Sequence, residues 1–138
     1  MKARELMSTN LVVVPPETPV TAVAALLASR GISAVPVVDA SGAPVGVVTE
    51  GDLIRRLAEE KPGPVAWFFG LFKDPAKLAD RFAKARGATA RDVMTADLAT
   101  VGEDAGAEDI ARLMEQRRVR RVPVVKDGKL VGVVSRAD

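Results

Sequence analysis

Apolar positions along this chain fall into two matching series. Val20, Val23, Ala24 and Leu27 recur at helical spacing, and Ile110, Leu113 and Met114 repeat the arrangement further along. Behind each series lie two β-branched runs parted by a short polar break. The pattern predicts helices near 19–30 and 106–117, then paired strands at 34–38 with 44–49 and at 121–125 with 129–134. Shorter apolar runs predict a leading strand near 11–14 and near 98–101. Thr18 is placed to cap the first helix, with Pro19 in its first turn, where a missing N–H does no harm. Pro36 and Pro123 read as lying at the start of the first hairpin strand, a position that tolerates proline. After Asp52 the stretch LIRRLAEEK predicts a second helix, so each half reads β-α-β-β-α.

The halves are copies. With Met7 placed on Met94, a shift of 87 aligns the chain without a gap as far as Val38 on Val125. ARELMS at 3–8 meets ARDVMT at 90–95, and AVPVV at 34–38 meets RVPVV at 121–125. Beyond that point the shift becomes 86, and GVVTEGD at 46–52 meets GVVSRAD at 132–138. The single deletion falls in the hairpin. Asp127-Gly128 is a two-residue type I′ signal, whereas ASG at 40–42 is a three-residue loop with Gly42 where a left-handed residue closes a G1 bulge. The expected organisation is a first unit at 1–60, an insert at 61–87 and a second unit at 88–138. The second copy stops at Asp138, so its covering helix is expected from a longer chain or from another element.

The insert differs in character. It holds every aromatic residue of the protein, Trp67, Phe68, Phe69, Phe72 and Phe82, beside Lys77, Lys84 and Arg86. A helical linker packing on the uncovered surface or on a second protomer is the preferred reading, and aromatic clusters favour such interfaces. A membrane-surface or partner-binding helix is the alternative.

Composition narrows the chemistry. With 138 residues, 48% hydrophobic and 28% charged, the chain can bury a core as one domain or two very small ones. There is no cysteine, histidine or tyrosine, which excludes disulfides, thiolate chemistry, His-dependent triads and the commonest zinc ligand. No nucleophile–base pair is visible, so an enzyme is not expected. The start MKARELMS lacks an apolar signal region, and the apolar run at 65–72 is too short to span a bilayer. A cytoplasmic protein is expected. A formal charge of +2 does not by itself argue for nucleic acid.

The repeated segments GVVTEGD and GVVSRAD share the form G-h-h-[ST]-x-x-D, with h apolar, where a strand passes into a helix. Thr49 and Ser135 are good N-caps, with Asp52 and Asp138 in capping-box positions worth about 1 kcal/mol per helix. The same place can also bind a ligand. A helix N-terminus favours phosphate, a carboxylate can accept from a sugar diol, and Gly46 and Gly132 permit close approach of the backbone.

LMS at 6–8, VMT at 93–95, SAVPVVD at 33–39, RRVPVVKDG at 120–128 and both G-h-h-[ST]-x-x-D segments, in this order, resemble a tandem pair of cystathionine-β-synthase-type (CBS) domains. The likeness covers nearly the whole chain outside the insert. More narrowly, the chain resembles bacterial CBS pairs that a BON domain often follows. The resemblance implies an α+β fold of two units packed sheet to sheet about a pseudo-two-fold axis. It also implies a regulatory module, homodimeric, that binds adenine nucleotides and requires no cofactor. AMP, ADP or ATP is the expected ligand, ahead of S-adenosylmethionine and NAD.

Carried over residue by residue, the resemblance implies two clefts, each completed by the other copy. One joins Val47, Thr49 and Asp52 to Leu98, Ala99, Val119, Arg120, Arg121 and Pro123. In it Asp52 holds the ribose hydroxyls, Thr49 faces ribose or phosphate, aliphatic residues sandwich adenine, and the arginines meet phosphate. The other joins Val133, Ser135 and Asp138 to Leu11, Val12, Ile32, Ser33 and Pro36. QRRVRRVPV in the second copy sets four arginines against the single Arg30 of SRGISAVPV. The first cleft is therefore expected to take the more phosphorylated ligand, and the second to be weaker or empty. The rival reading is a dimerisation scaffold with vestigial clefts. Nucleic-acid binding through the arginines ranks lower, because no aromatic stacking platform interleaves them.

Overall fold

A computed structural model describes residues 1–54 and 88–136. The aromatic insert, most of the predicted second helix and Asp138 lie outside the described residues. The chain gathers into two compact units. An early unit comprises Val13–Val37 and Val45–Ala96, and a late unit comprises Met1–Val12, Val38–Pro44 and Asp97–Asp138.

In the early unit, helix α2 (Val20–Arg30) buries Val20, Val23, Ala24 and Leu27, the four positions that the apolar spacing selects. Each such burial stabilises by about 1.5–3 kcal/mol for a Val or Leu side chain. Strands β1 (Ala34–Val38) and β2 (Pro44–Thr49) form a two-stranded sheet that buries Val35, Val37 and Val48. In the late unit, helix α4 (Ala107–Arg117) buries Ile110 and Met114 against Val122 and Val124 of β4 (Arg121–Lys126) and Val134 of β5 (Lys129–Ser135). Strand β3 (Val101–Gly102) runs parallel beside β4, giving the order β3-β4-β5.

Both hairpins close as their sequences require. Asp127 and Gly128 take φ of 54° and 77°, the two positive angles of a type I′ turn, and Gly42 takes φ of 90°. The second hairpin carries an irregularity that its turn does not announce. Val124 pairs with Gly132 but Val125 with Leu130, which leaves Val131 as a bulge.

The leading strands are shorter than expected. Val14 makes a single parallel bridge to Val37, and in the late unit only Val101 and Gly102 pair. Pro15 and Pro16 follow Val14 and offer no N–H to continue a ladder. Pro36 and Pro123 sit mid-strand and not at its start. For Pro123 the reason is explicit. Its register partner Val133 exchanges its N–H and C=O with Ser8, at 3.1 and 2.9 Å, so no bond to Pro123 is lost.

Thr18 is not the helix cap. Pro19 occupies the N-cap of α2 without a side-chain bond, and the first helical N–H, at Val20, donates to the carbonyl of Ala88 at 3.0 Å. Helix α4 repeats this, with Ala107 donating to the carbonyl of Met1 at 2.9 Å. In each case a backbone carbonyl from the segment that leads into the opposite copy takes the place of a side-chain cap. Those segments carry short helices α1 (Ala3–Leu6) and α3 (Ala90–Val93), which the apolar pattern was too brief to reveal.

Candidate functional site at the strand-to-helix turns

Strand β2 ends at Thr49, and residues 50–54 turn into helix. The Thr49 N–H donates to Asp52 Oδ2 at 2.8 Å, while the Asp52 N–H donates to Thr49 Oγ1 at 3.0 Å. This reciprocal pair is the capping box that the motif predicts. Asp52 does more than cap. Its Oδ1 accepts from the hydroxyl of Thr95 at 3.1 Å, and the residue is only 2% exposed. Thr95 belongs to the VMT segment, and its backbone pairs with Val47 in both directions, at 3.0 and 2.9 Å.

The glycines of the motif serve this same packing. A Cβ on Gly46 would lie 2.5 Å from Met94 Sδ and 3.0 Å from the Thr95 carbonyl oxygen. A Cβ on Gly132 would meet the side chain of Met7 in the same way, with Cγ at 2.7 Å. The close neighbour that these glycines admit is therefore a methionine, where the sequence suggested a ligand.

Strand alternation places the remaining candidates. In β1 and β2 the core-facing residues are Val35, Val37, Gly46 and Val48, so Pro36, Val47 and Thr49 share the half-buried opposite face. Ile32 is half-buried and Ser33 exposed, and the Ser33 carbonyl accepts from the Glu50 N–H at 3.1 Å. The early unit thus brings Ile32, Ser33, Pro36, Val47, Thr49 and Asp52 onto one sheet and its exit turn.

The late unit repeats the arrangement. Pro123, Val133 and Ser135 share the half-buried face, and Arg121 is the register partner of Ser135. Leu11, Val12, Leu98, Ala99 and Val119 are each half-buried, whereas Arg120 and Arg121 are exposed. Arg117 does not join them. Its guanidinium pairs with Asp97 at 3.1 Å, an exposed ion pair that gives it a structural partner. Two residues escaped sequence reasoning. Thr95 was hidden because its partner Asp52 lies 43 positions away, although the repeated Met-Ser/Thr dipeptide was a signal. Arg136 replaces Glu50 inside the repeated motif, and its N–H donates to the Arg120 carbonyl at 2.8 Å.

Among the described residues no acidic cluster could hold a metal ion, and no helix is long and apolar enough to cross a membrane.

Two α+β units, each with a hairpin running into a Ser/Thr turn, define a duplicated module whose likeness to known proteins is direct. The chain belongs to the CBS domain family, whose model matches residues 3–59 and 90–138. The chloroplastic CBS domain-containing protein CBSX2 of Arabidopsis thaliana is 33% identical over 94% of this chain and 57% of its own length. The uncharacterized protein YlbB of Bacillus subtilis is 30% identical over 99% of this chain and 78% of its own length. Among solved structures, CBSX2 in complex with AMP superposes with a TM-score of 0.74 at 31% identity, covering 99% of this chain and 90% of that one. The CBS domain pair of MJ0100 gives a TM-score of 0.69 at 23% identity over 99% of this chain and 90% of that one, a likeness of fold alone. The chain spans between 30% and 57% of the length of the first curated relatives it matches.

Proposed function

We propose that this CBS pair is a non-catalytic regulatory module that binds an adenine nucleotide of the AMP, ADP or ATP type. The observation that carries the reading is the likeness to CBSX2 in complex with AMP, which spans 99% of the chain at 31% identity. The Thr49–Asp52 turn supports it, because a carboxylate offers about four acceptor positions and so can serve both a cap and a sugar diol. In this proposal Asp52 and Thr49 take the ribose, while Val47, Leu98, Ala99, Val119 and Pro123 offer apolar contact to adenine. Arg120 and Arg121 supply charge-assisted donors to phosphate. The pairing of these residues into shared sites rests on the repeat and on the family resemblance. A homodimer that reads nucleotide occupancy as a change in packing completes the proposal.

Calorimetric titration of AMP and ATP into the wild type, Asp52→Ala and Arg121→Ala tests it. Weaker binding in both variants is expected, and unchanged affinity in both overturns the site assignment. One observation favours the scaffold reading instead: at 2% exposure and with its cap complete, Asp52 has a structural role that needs no ligand. A thermal-shift panel of AMP, ADP, ATP, S-adenosylmethionine and NAD separates the two. A ligand at 100 times its Kd stabilises the native state by about 2.7 kcal/mol, so a flat panel would support the scaffold.

A further inference from the structure

The chain has four methionines and no cysteine, so with no thiol to compete its thioethers are the side chains that a peroxide attacks first. Their surroundings differ. Met1 is 74% exposed, whereas Met114 is 8% exposed and lies in the core of the late unit. Met7 and Met94 are half-buried and hold the same place in the two copies. Each lies over the glycine of a G-h-h-[ST]-x-x-D motif within its own unit. A Cβ on Gly46 would meet Met94 Sδ at 2.5 Å and Cγ at 2.8 Å. One on Gly132 would meet Met7 Cγ at 2.7 Å and Cβ at 2.9 Å. Solvent thus reaches part of each side chain, while the rest fills a space with no room for one further carbon.

The residue after each methionine joins its segment to the motif strand by a single backbone bridge. Thr95 exchanges both bonds with Val47, at 3.0 and 2.9 Å, and Ser8 exchanges both with Val133, at 2.9 and 3.1 Å. Thr95 also donates its hydroxyl to Asp52 Oδ1. The methionine seated on its glycine therefore helps to hold the bridge, and in the early unit the bridge holds the Thr95 hydroxyl on the exit turn.

We propose that Met7 and Met94 are paired oxidation sites through which a peroxide loosens the two strand-to-helix turns. The sulfur lone pair attacks one peroxide oxygen. An S–O bond forms, the O–O bond breaks, and the proton of the transferred oxygen passes to the departing one, which leaves as water. The sulfur is oxidised by two electrons and the peroxide reduced by two. The sulfoxide adds one heavy atom and a strong dipole to a space closed by main chain, where the Thr95 carbonyl oxygen lies 3.0 Å from the Gly46 Cβ position. The oxidised side chain is driven off its glycine, and the Thr95–Val47 and Ser8–Val133 bridges open with it. Asp52 then keeps its reciprocal cap with Thr49 but loses the Thr95 hydroxyl. Neither nucleotide binding nor dimerisation enters the inference.

The experiment exposes the full chain to hydrogen peroxide and reads sulfoxide at each methionine by peptide mass spectrometry, with melting temperature and amide exchange on the same samples. Met1 is expected to oxidise first, Met7 and Met94 next, and Met114 last. The melting temperature should stay level while Met1 alone is oxidised, then fall by about 3–10 °C as Met7 and Met94 follow. Over the same interval the amides of Ser8, Val47, Thr95 and Val133 should exchange at least about tenfold faster. Methionine sulfoxide reductases, one for each sulfur epimer and supplied with a dithiol, should restore both readings. Met7→Leu combined with Met94→Leu nearly conserves volume, and its melting temperature should not move with peroxide although Met1, Met114 and Trp67 remain. Three results overturn the inference: oxidation of Met7 and Met94 no faster than that of Met114, full oxidation of both with melting and exchange unchanged, or an equal fall in the double variant. If the double variant does not fold, the wild-type time course decides alone, because Met1 supplies its internal control.

Discussion

Met94 lies across Gly46, its sulfur 2.5 Å from where a Cβ at that position would stand. Met7 lies across Gly132 in the same manner. The glycine of each G-h-h-[ST]-x-x-D motif is thus matched to the methionine of the segment that leads into the opposite copy.

Gly46→Ala is therefore expected to destabilise the protein by about 1–3 kcal/mol, the range for overpacking a filled site. Urea denaturation reads the effect as a lower midpoint. Adding Met94→Ala should recover part of the loss, giving a coupling of about 0.5 kcal/mol or more between the two positions. Strict additivity would mean that the methionine can move aside without consequence.

Asp52→Ala removes the reciprocal cap and the acceptor of the Thr95 hydroxyl together. A loss of about 2 kcal/mol is expected from the lost cap plus the lost bond from Thr95. Thr95→Val, which removes the single 3.1 Å bond, is expected to lose about 1 kcal/mol. Equilibrium unfolding of both variants checks the order. A larger effect at Thr95 would contradict it.

Arg118 and Gly31 cap equivalent helices with φ of 54° and 63°. Left-handed backbone costs about 1–2 kcal/mol for a residue with a side chain, and extra chain freedom in the unfolded state returns about 0.4–1 kcal/mol of that on mutation to glycine. Arg118→Gly should accordingly raise stability by about 0.5 kcal/mol, and Gly31→Ala should lower it by a similar amount. Nothing stands within 4 Å of a Cβ at Gly31, so that loss is one of backbone alone. Thermal melts of the two variants should move in opposite directions.

The Asp39 carboxylate accepts from the Ser41 hydroxyl at 2.6 Å, the Ser41 N–H at 2.9 Å and the Ala43 N–H at 3.0 Å. The Ser41 hydroxyl first, and then the loop N–H groups, hold its pKa below the usual carboxylate value of 3.8. A lowered folded-state pKa means that the native state binds the proton less readily than the unfolded chain. Its stabilisation is full above the unfolded value and fades as pH falls through the folded one. The stability gap between wild type and Asp39→Asn should hold steady between about pH 5 and 7 and close below about pH 4. A gap that widens on acidification would reverse the sign and reject the account.

Local features were legible in the residues. The apolar spacing selected Val20, Val23, Ala24 and Leu27 as the buried face of α2, and Asp127-Gly128 and Gly42 announced their hairpin turns. Thr49 and Asp52 were legible as a capping box, because both partners lie within one turn of each other. The arginine-rich segment was partly legible. Arg120 and Arg121 are visible as a run in the sequence, whereas the pairing of Arg117 with Asp97 and the bond from the Arg136 N–H to the Arg120 carbonyl exist only in the folded chain.

By itself, the order of residues determined the duplication, the hairpins, the buried helix faces and the capped turn, since periodicity and turn chemistry act over a few neighbours. Tertiary structure alone decided that Ala88 and Met1 supply the helix caps, that Thr95 anchors Asp52, and that the methionines fill the space above the glycines. Any residue can offer a backbone carbonyl, so a cap made by one leaves no mark in the sequence. A contact between positions far apart in sequence becomes specific only when folding brings those positions together.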